Sequence, residues 1–396
     1  MERKRIVADL TDFQAWMNIT KSGMGLGLLT VPMAIGKVGA VPGIICWVVI
    51  ACSSLWMAVL VAKCKDKIEY EDSTESRPLR MAEAGGGADA SKVEEIWDSG
   101  LGYYDEVLAR AFGPGGRAML ILAILGCQIF TVVAYMSTIA ESVPASFSGW
   151  NRNRTLLATC IVCSVMSLTN RLRRVAYLSA AGALIYLFVF ACLGYEAWQN
   201  THPTTMVLWK RTGYDYGLIF ATASFVFGSL IISDCVHKEM KNKENFVQVA
   251  TLSYLAVMVG GLCFSLLGFY VYGDQAEDII YLSFPSSTRA ACVVCVTVIL
   301  AISIILALVP VFMFLQVQLP SVPYSILNIS VVCVMACMAY LLPDVITALE
   351  TVNNVVDLIA LWIMPAACFF CLTHRYERCE QCVTALALLV GIVAST

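Results

Sequence analysis

The run Lys21-Ser22-Gly23-Met24-Gly25-Leu26-Gly27-Leu28-Leu29-Thr30-Val31-Pro32 lies inside the first long apolar segment of the chain. It puts an ammonium group and three alternating glycines where a bilayer-crossing helix would run unbroken. Backbone that leaves the helix at membrane depth must be buried in protein or line a cavity. A glycine-interrupted span is also the sequence feature that points to the solute site of a secondary transporter. The chemistry on offer is noncovalent: exposed backbone N–H and C=O groups, and one cation, able to hold a small charged solute. The glycines have a second reading, close helix packing, because small residues let membrane helices approach. Pro32 and a matching break later in the chain favour the unwound reading. Lys21 either snorkels to the nearer interface or carries a functional charge within the membrane.

Asp357 is the other ionisable group deep in an apolar segment, with Asn353 and Asn354 nearby and Glu350 two turns earlier. A carboxylate there must be paired, hydrogen-bonded or protonated. It is either a proton carrier or gate, or a structural acid, and with Lys21 it forms the pair of coupling candidates. Asp234 is expected at an inner vestibule and His237 in solvent where its span ends. Tyr135 either closes over a solute or packs as an ordinary core aromatic. The sequence has no P-loop pattern, no metal-ligand cluster and no nucleophile constellation. No catalytic residue, metal site or cofactor is therefore expected. The Cys-x-x-Cys of Cys379 and Cys382 lacks the two further ligands that zinc requires.

Elements that could position these groups must be membrane helices. Of 396 residues, 59% are hydrophobic and only 14% charged, and the mean hydropathy is +0.75. Soluble domains carry about 25% charged residues, so most of this chain is expected in lipid. A net charge of −3 and scattered basic residues give no nucleic-acid footprint. Most of the seventeen cysteines fall within apolar runs, where they act as small hydrophobes rather than a disulfide framework.

At about 20 apolar residues per span, about eleven spans are predicted. They lie near 13–35, 39–62, 117–142, 155–170, 175–194, 213–236, 247–272, 289–315, 326–342, 346–371 and 381–396. Lysines and arginines are denser in the loops that share a side with the N-terminus, which places the N-terminus in the cytosol. The basic start, Met-Glu-Arg-Lys-Arg, reads as a retained cytosolic tail rather than a signal peptide. Of three glycosylation sequons, Asn153 falls on the predicted outer side, and Asn18 and Asn328 fall where none would be used. Residues 64–99, charged and glycine-rich, are expected to be a flexible cytosolic loop. Residues 101–112 read as a short interfacial helix stopped by Gly113-Pro114.

The sixth span contains the second interruption, Phe225-Val226-Phe227-Gly228-Ser229. If spans 1–5 and 6–10 are inverted repeats, spans 1 and 6 correspond, and each is broken near its middle. Each break would present a half-helix N-terminus at the centre, where free N–H groups and the helix dipole attract a carboxylate.

The stretch from Lys21 to Ala34, with Gly39 and Gly43 following, resembles the first two spans of the amino acid/auxin permease family, above all its proton-coupled amino acid transporter branch. Further motifs are similar in order and spacing: Tyr104 to Gly116, Gln128 and Tyr135 seven apart, Phe220 to Phe227, Glu239 to Asn242, and Gly268 to Asp274. Three positions depart from the family pattern: Gly228 stands where glutamate is frequent, and Cys235 and His237 stand where proline and glutamate are frequent.

The resemblance implies an all-α polytopic protein of eleven spans with the 5+5 inverted-repeat, LeuT-like amino acid transporter core. Its repeats would cover about 13–194 and 213–371, with an extra helix at about 381–396. It implies an amino acid bound between broken spans 1 and 6, at Gly23, Met24, Gly25, Leu26, Gly27, Tyr135, Phe225, Phe227, Gly228 and Ser229. The N–H groups of Met24 to Leu28 would hold the α-carboxylate. In sodium-coupled relatives the slot of Lys21 resembles an asparagine that helps bind Na⁺, so a lysine there implies sodium independence, with the proton as coupling ion. The expected function is secondary active transport of small neutral amino acids by alternating access. The alternatives are sodium coupling, or a sensor of the same fold that signals through residues 63–116. An ion channel would need a filter or charged ring that the sequence lacks. The plasma membrane and an endolysosomal or vacuolar membrane both stay open.

Overall fold

Thr11 starts the first helix. Its hydroxyl accepts the Gln14 N–H at 3.3 Å while Gln14 Oε1 accepts the Thr11 N–H at 3.1 Å, a reciprocal cap that satisfies two end amides. Helix α1, Asp12–Gly23, stops at Met24, whose N–H turns back to the carbonyls of Thr20 and Lys21. Gly25 is extended (φ −109°, ψ −155°), and α2, Leu26–Val38, begins after it. The first span is thus broken at Met24–Gly25.

The computed structural model describes residues 10–83, 103–168, 172–199, 207–210, 215–341, 358–372 and 378–395. After α2 come α3 (Ala40–Glu83), α4 (Tyr104–Ser146), α5 (Arg152–Ser167) and α6 (Leu172–Gln199). Then follow α7 (Asp215–Phe227), α8 (Leu230–Glu239), α9 (Phe246–Tyr272), α10 (Ser286–Gln318) and α11 (Tyr324–Leu341). A π-helical stretch, Leu358–Ile363, leads into α12 (Met364–Leu372), and α13 spans Arg378–Ser395. Among the described residues, seven segments are long and apolar enough to cross a bilayer. Three shorter apolar helices, Leu26–Val38, Leu358–Leu372 and Glu380–Val390, accompany them. This is the expected all-helical polytopic architecture, with the second broken span formed by α7 and α8.

Two expectations meet the structure differently. The predicted loop 64–99 is helical through Glu83, because α3 continues that far. The charged residues here are mainly Lys, Glu and Arg, which are good helix formers, and Lys65 pairs with Glu69 one turn on at 3.0 Å. The rest of that stretch lies outside the described residues. The short helix before the third span does end at Gly113, but as a hinge within α4 rather than a stop. Gly113 has φ 68° and ψ −163°, a region open essentially to glycine alone.

Packing brings the breaks together. Helix α2 lies against α7 and α9, α1 against α6 and α9, and α10 runs between α4 and α6. Trp47 of α3 is fully buried and donates through Nε1 to the Met258 carbonyl at 2.9 Å, tying α3 to α9. Asn18 and Asn328 are also fully buried and hydrogen-bonded, to Ser179 and the Ser167 carbonyl. Neither can carry a glycan in this fold, whereas Asn153 is exposed.

Candidate binding site at the paired helix breaks

The two interruptions touch. A Cβ added at Gly27 would sit 2.7 Å from Phe225 Cδ1, and one at Gly23 would sit 3.2 Å from the Val226 carbonyl oxygen. Gly23 and Gly27 therefore serve the packing role that small residues have in membranes. The chain leaves the helix only at Met24 and Gly25. Gly25 faces Tyr135 instead: a Cβ there would lie 2.5 Å from the hydroxyl.

Between the breaks lies a cavity of about 50 Å³, lined by Ser22, Gln128, Thr131, Tyr135, Phe225, Gly228, Ser229, Ile232 and Ser303, with Cys127, Leu306 and Ala307. None of these side chains is ionised. Neither half-helix that starts beside the cavity has a side-chain cap: Gly25 offers none to α2, and Ser229 makes none for α8. The Ser229 hydroxyl donates to Tyr254 at 3.1 Å instead. Helix N-termini without a side-chain cap, carrying the positive end of the dipole, are ready anion sites. The Tyr135 hydroxyl already stands against the Leu26 backbone amide at one of them, and the Tyr135 ring meets Phe225 edge-on at 6.2 Å.

Lys21 does not snorkel. It is 0% exposed, and Nζ donates to the Met24 carbonyl at 2.9 Å and to Ser303 Oγ at 2.6 Å. Its stem fills the space beside Gly182 of α6, where a Cβ would come within 2.7 Å of Lys21 Cε. The ammonium thus closes the C-terminal end of α1 and fastens it to α10. A cation at a helix C-terminus is favoured by the dipole.

Of the expected site residues, Tyr135, Phe225, Gly228 and Ser229 reach the cavity. Met24 and Gly25 form the break itself, and Leu26 and Gly27 open α2. Phe227 points elsewhere, into the core, with its ring 4.8 Å from Trp47 and 6.1 Å from Tyr254. Asp357 lies outside the described residues. Ser22, Thr131, Ile232 and Ser303 were not anticipated. Thr131 had a signal, since it shares a helix face with Gln128 and Tyr135 at spacings of three and four. Ser303 had none, being 282 residues from Lys21.

The shape of the fold has known parallels. The Eremococcus coleocola manganese transporter, solved in complex with an aromatic bis-isothiourea substituted compound, superposes with a TM-score of 0.59 at 13% identity, covering 97% of this chain and 84% of that one. A point mutant of the same transporter gives 0.58 at 14%. At such identity the likeness concerns the fold alone. The family model described as "Transmembrane amino acid transporter protein" matches residues 9–370, nearly the whole chain. The chain belongs to this family. Similar curated members include amino acid transporter ANT1 of Arabidopsis thaliana, 22% identical over 290 residues, and the vesicular GABA transporter of Caenorhabditis elegans, 23% over 286. Each alignment covers 70% of this chain, but only 60% and 52% of those proteins. In this chain each unwound point holds a glycine, Gly25 and Gly228, and the second of them lines the cavity.

Proposed function

We propose that the protein is a secondary transporter that carries small neutral amino acids by alternating access, driven by protons and independent of sodium. The observation that carries this reading is the pair of half-helix N-termini whose own N-cap residues give no side-chain bond, one starting at the wall of an uncharged cavity and the other met at Leu26 by the cavity residue Tyr135. They suit the carboxylate of a zwitterion. Carbonyls at the C-terminal end of α7, beside Gly228, suit its ammonium. The cavity is small and flanked by Phe225 and Tyr135, which favours a short side chain.

Sodium independence rests on Lys21. Its ammonium occupies the Met24 carbonyl and the Ser303 hydroxyl, oxygens of the kind a hard cation would need, and its charge would repel a second cation at close range. The denser lysines and arginines on the N-terminal side support an N-terminus in the cytosol.

The test is uptake of a labelled amino-acid panel by the full chain in sodium-free proteoliposomes under an imposed pH gradient. Uptake of small neutral members that a protonophore abolishes is the expected result. A requirement for sodium would overturn the coupling. No uptake of any member by demonstrably folded protein would overturn transport and favour a sensor.

A further inference from the structure

The short helix that opens α4 lacks a cap of its own. Tyr103 occupies the N-cap position in helical geometry and gives no side-chain bond. The acceptor comes instead from the second broken span. Asp234 Oδ2 on α8 takes the N–H groups of both Tyr103 and Tyr104 at 2.8 Å. Asp234 is 4% exposed. A carboxylate on a helix N-terminus is favourable, whereas a buried ionised carboxylate without such donors is strongly unfavourable.

The other end of this helix is Gly113. A Cβ there, or at Gly115, would meet nothing within 4 Å. The glycine at 113 is therefore demanded by conformation rather than by packing, and the segment Tyr104–Phe112 can pivot there. Arg117 spans the hinge to Asp105 at 3.0 Å. The docked segment also contacts the π-helical stretch and the end of α8. The Tyr104 hydroxyl donates to the Ala360 carbonyl at 2.7 Å, and the Tyr103 ring packs edge-on against His237, which is buried rather than in solvent as its sequence position suggested. On the same side, Leu10 and Met240 pair as a β-bridge that joins the start of α1 to the end of α8.

We propose that Asp234 is the latch of a hinged gate formed by Tyr104–Phe112, and that a proton taken up by this carboxylate releases it. The step is a simple protonation. The carboxylate gains one proton and becomes a neutral acid, its hold on the two amides weakens, and α8 is free to part from α4. When the proton leaves to the other side, the carboxylate recaptures the amides. The charged groups that act on it are Asp105 on α4 and Lys238 on its own helix; the other titratable or charged groups on the surrounding elements are His237 and Glu239 on that helix, Glu106 and Arg117 on α4, Lys65 on α3 and Lys243 in the turn before α9. Lys238 also reaches Glu106 at 3.9 Å, and Lys65 and Lys243 lie 4.6 and 5.0 Å from the centre of the Tyr103 ring. This assignment rests on the proton-coupled reading above and gives it a site.

Hydrogen–deuterium exchange of the full chain in lipid nanodiscs tests it without requiring transport. The peptide covering Tyr103 to Phe112 is followed across pH, with rates corrected for intrinsic chemical exchange. In the wild type, its protection is expected to fall on acidification. In Asp234→Asn it is expected to be lower by about tenfold or more, the scale of losing charge-assisted hydrogen bonds, and flat with pH. Peptides of α5 should not change in either case. Equal protection in Asp234→Asn and wild type would overturn the latch. Should that variant not fold, pH-independent protection in the wild type alone would do so. A latch that behaves as expected in protein that moves no amino acid would instead sink the transport reading.

Discussion

At the scale of single residues, the site is organised by two side chains that meet backbone at the first break. Lys21 supplies donors to the Met24 carbonyl and to Ser303. Lys21→Met removes both bonds while keeping a stem of similar length, leaving a buried acceptor unsatisfied. A loss of about 1–3 kcal/mol in stability is expected, read as a lower midpoint of thermal unfolding in detergent, together with loss of uptake. An unchanged midpoint would show that the ammonium is not structural. Tyr135 makes a second prediction. Gly25→Ala should abolish uptake, since its new Cβ would lie 2.5 Å from the Tyr135 hydroxyl. Adding Tyr135→Phe, which removes that oxygen, should restore part of it. If the double variant is no better than the single one, the obstruction lies elsewhere.

The same scale shows what the sequence could reveal. Tyr135 was legible through the resemblance of the third span, in which Gln128 and Tyr135 stand seven apart, a spacing that returns to one helix face. Phe225 and Phe227 could not both be right: two residues along an α-helix are separated by roughly 200° of rotation, so one faces the cavity and the other Trp47. Ser303 was invisible because only tertiary packing brings α10 to Lys21.

At the scale of elements, the breaks and the hinge were legible because glycine and proline punctuate helices for definite reasons. Gly113 is the clearest case. Gly113→Ala forces a side chain into backbone geometry that costs about 1–3 kcal/mol. Because nothing crowds the new methyl, the whole cost is conformational. The expected result is a lower unfolding midpoint and slower uptake, with the Asp105–Arg117 pair disturbed across the hinge. Normal values of both would mean that the kink is incidental. The helix through Glu83 was missed for the opposite reason. Composition suggested a solvated loop, but composition does not weigh i to i+4 pairs such as Lys65–Glu69, which stabilise a helix already begun inside the membrane. The extent of unwinding in the first span was also overestimated. Three glycines suggested a long irregular stretch, yet two of them answer to contacts with α7 and α9.

At the scale of the whole molecule, membership in the amino acid transporter family and the broken-helix fold agree with one another, and the fold places the two broken spans side by side. For the proposed transport cycle, the question is what drives it. Lys21 argues against sodium, and the Asp234 latch gives a proton a task. The most direct measurement is proton movement itself. A pH-sensitive dye is sealed inside sodium-free proteoliposomes, and a small neutral amino acid is added outside. The account predicts that the interior acidifies only when substrate is present and that Asp234→Asn removes this response. Substrate entry without acidification, or entry that begins only when sodium is supplied, would contradict it.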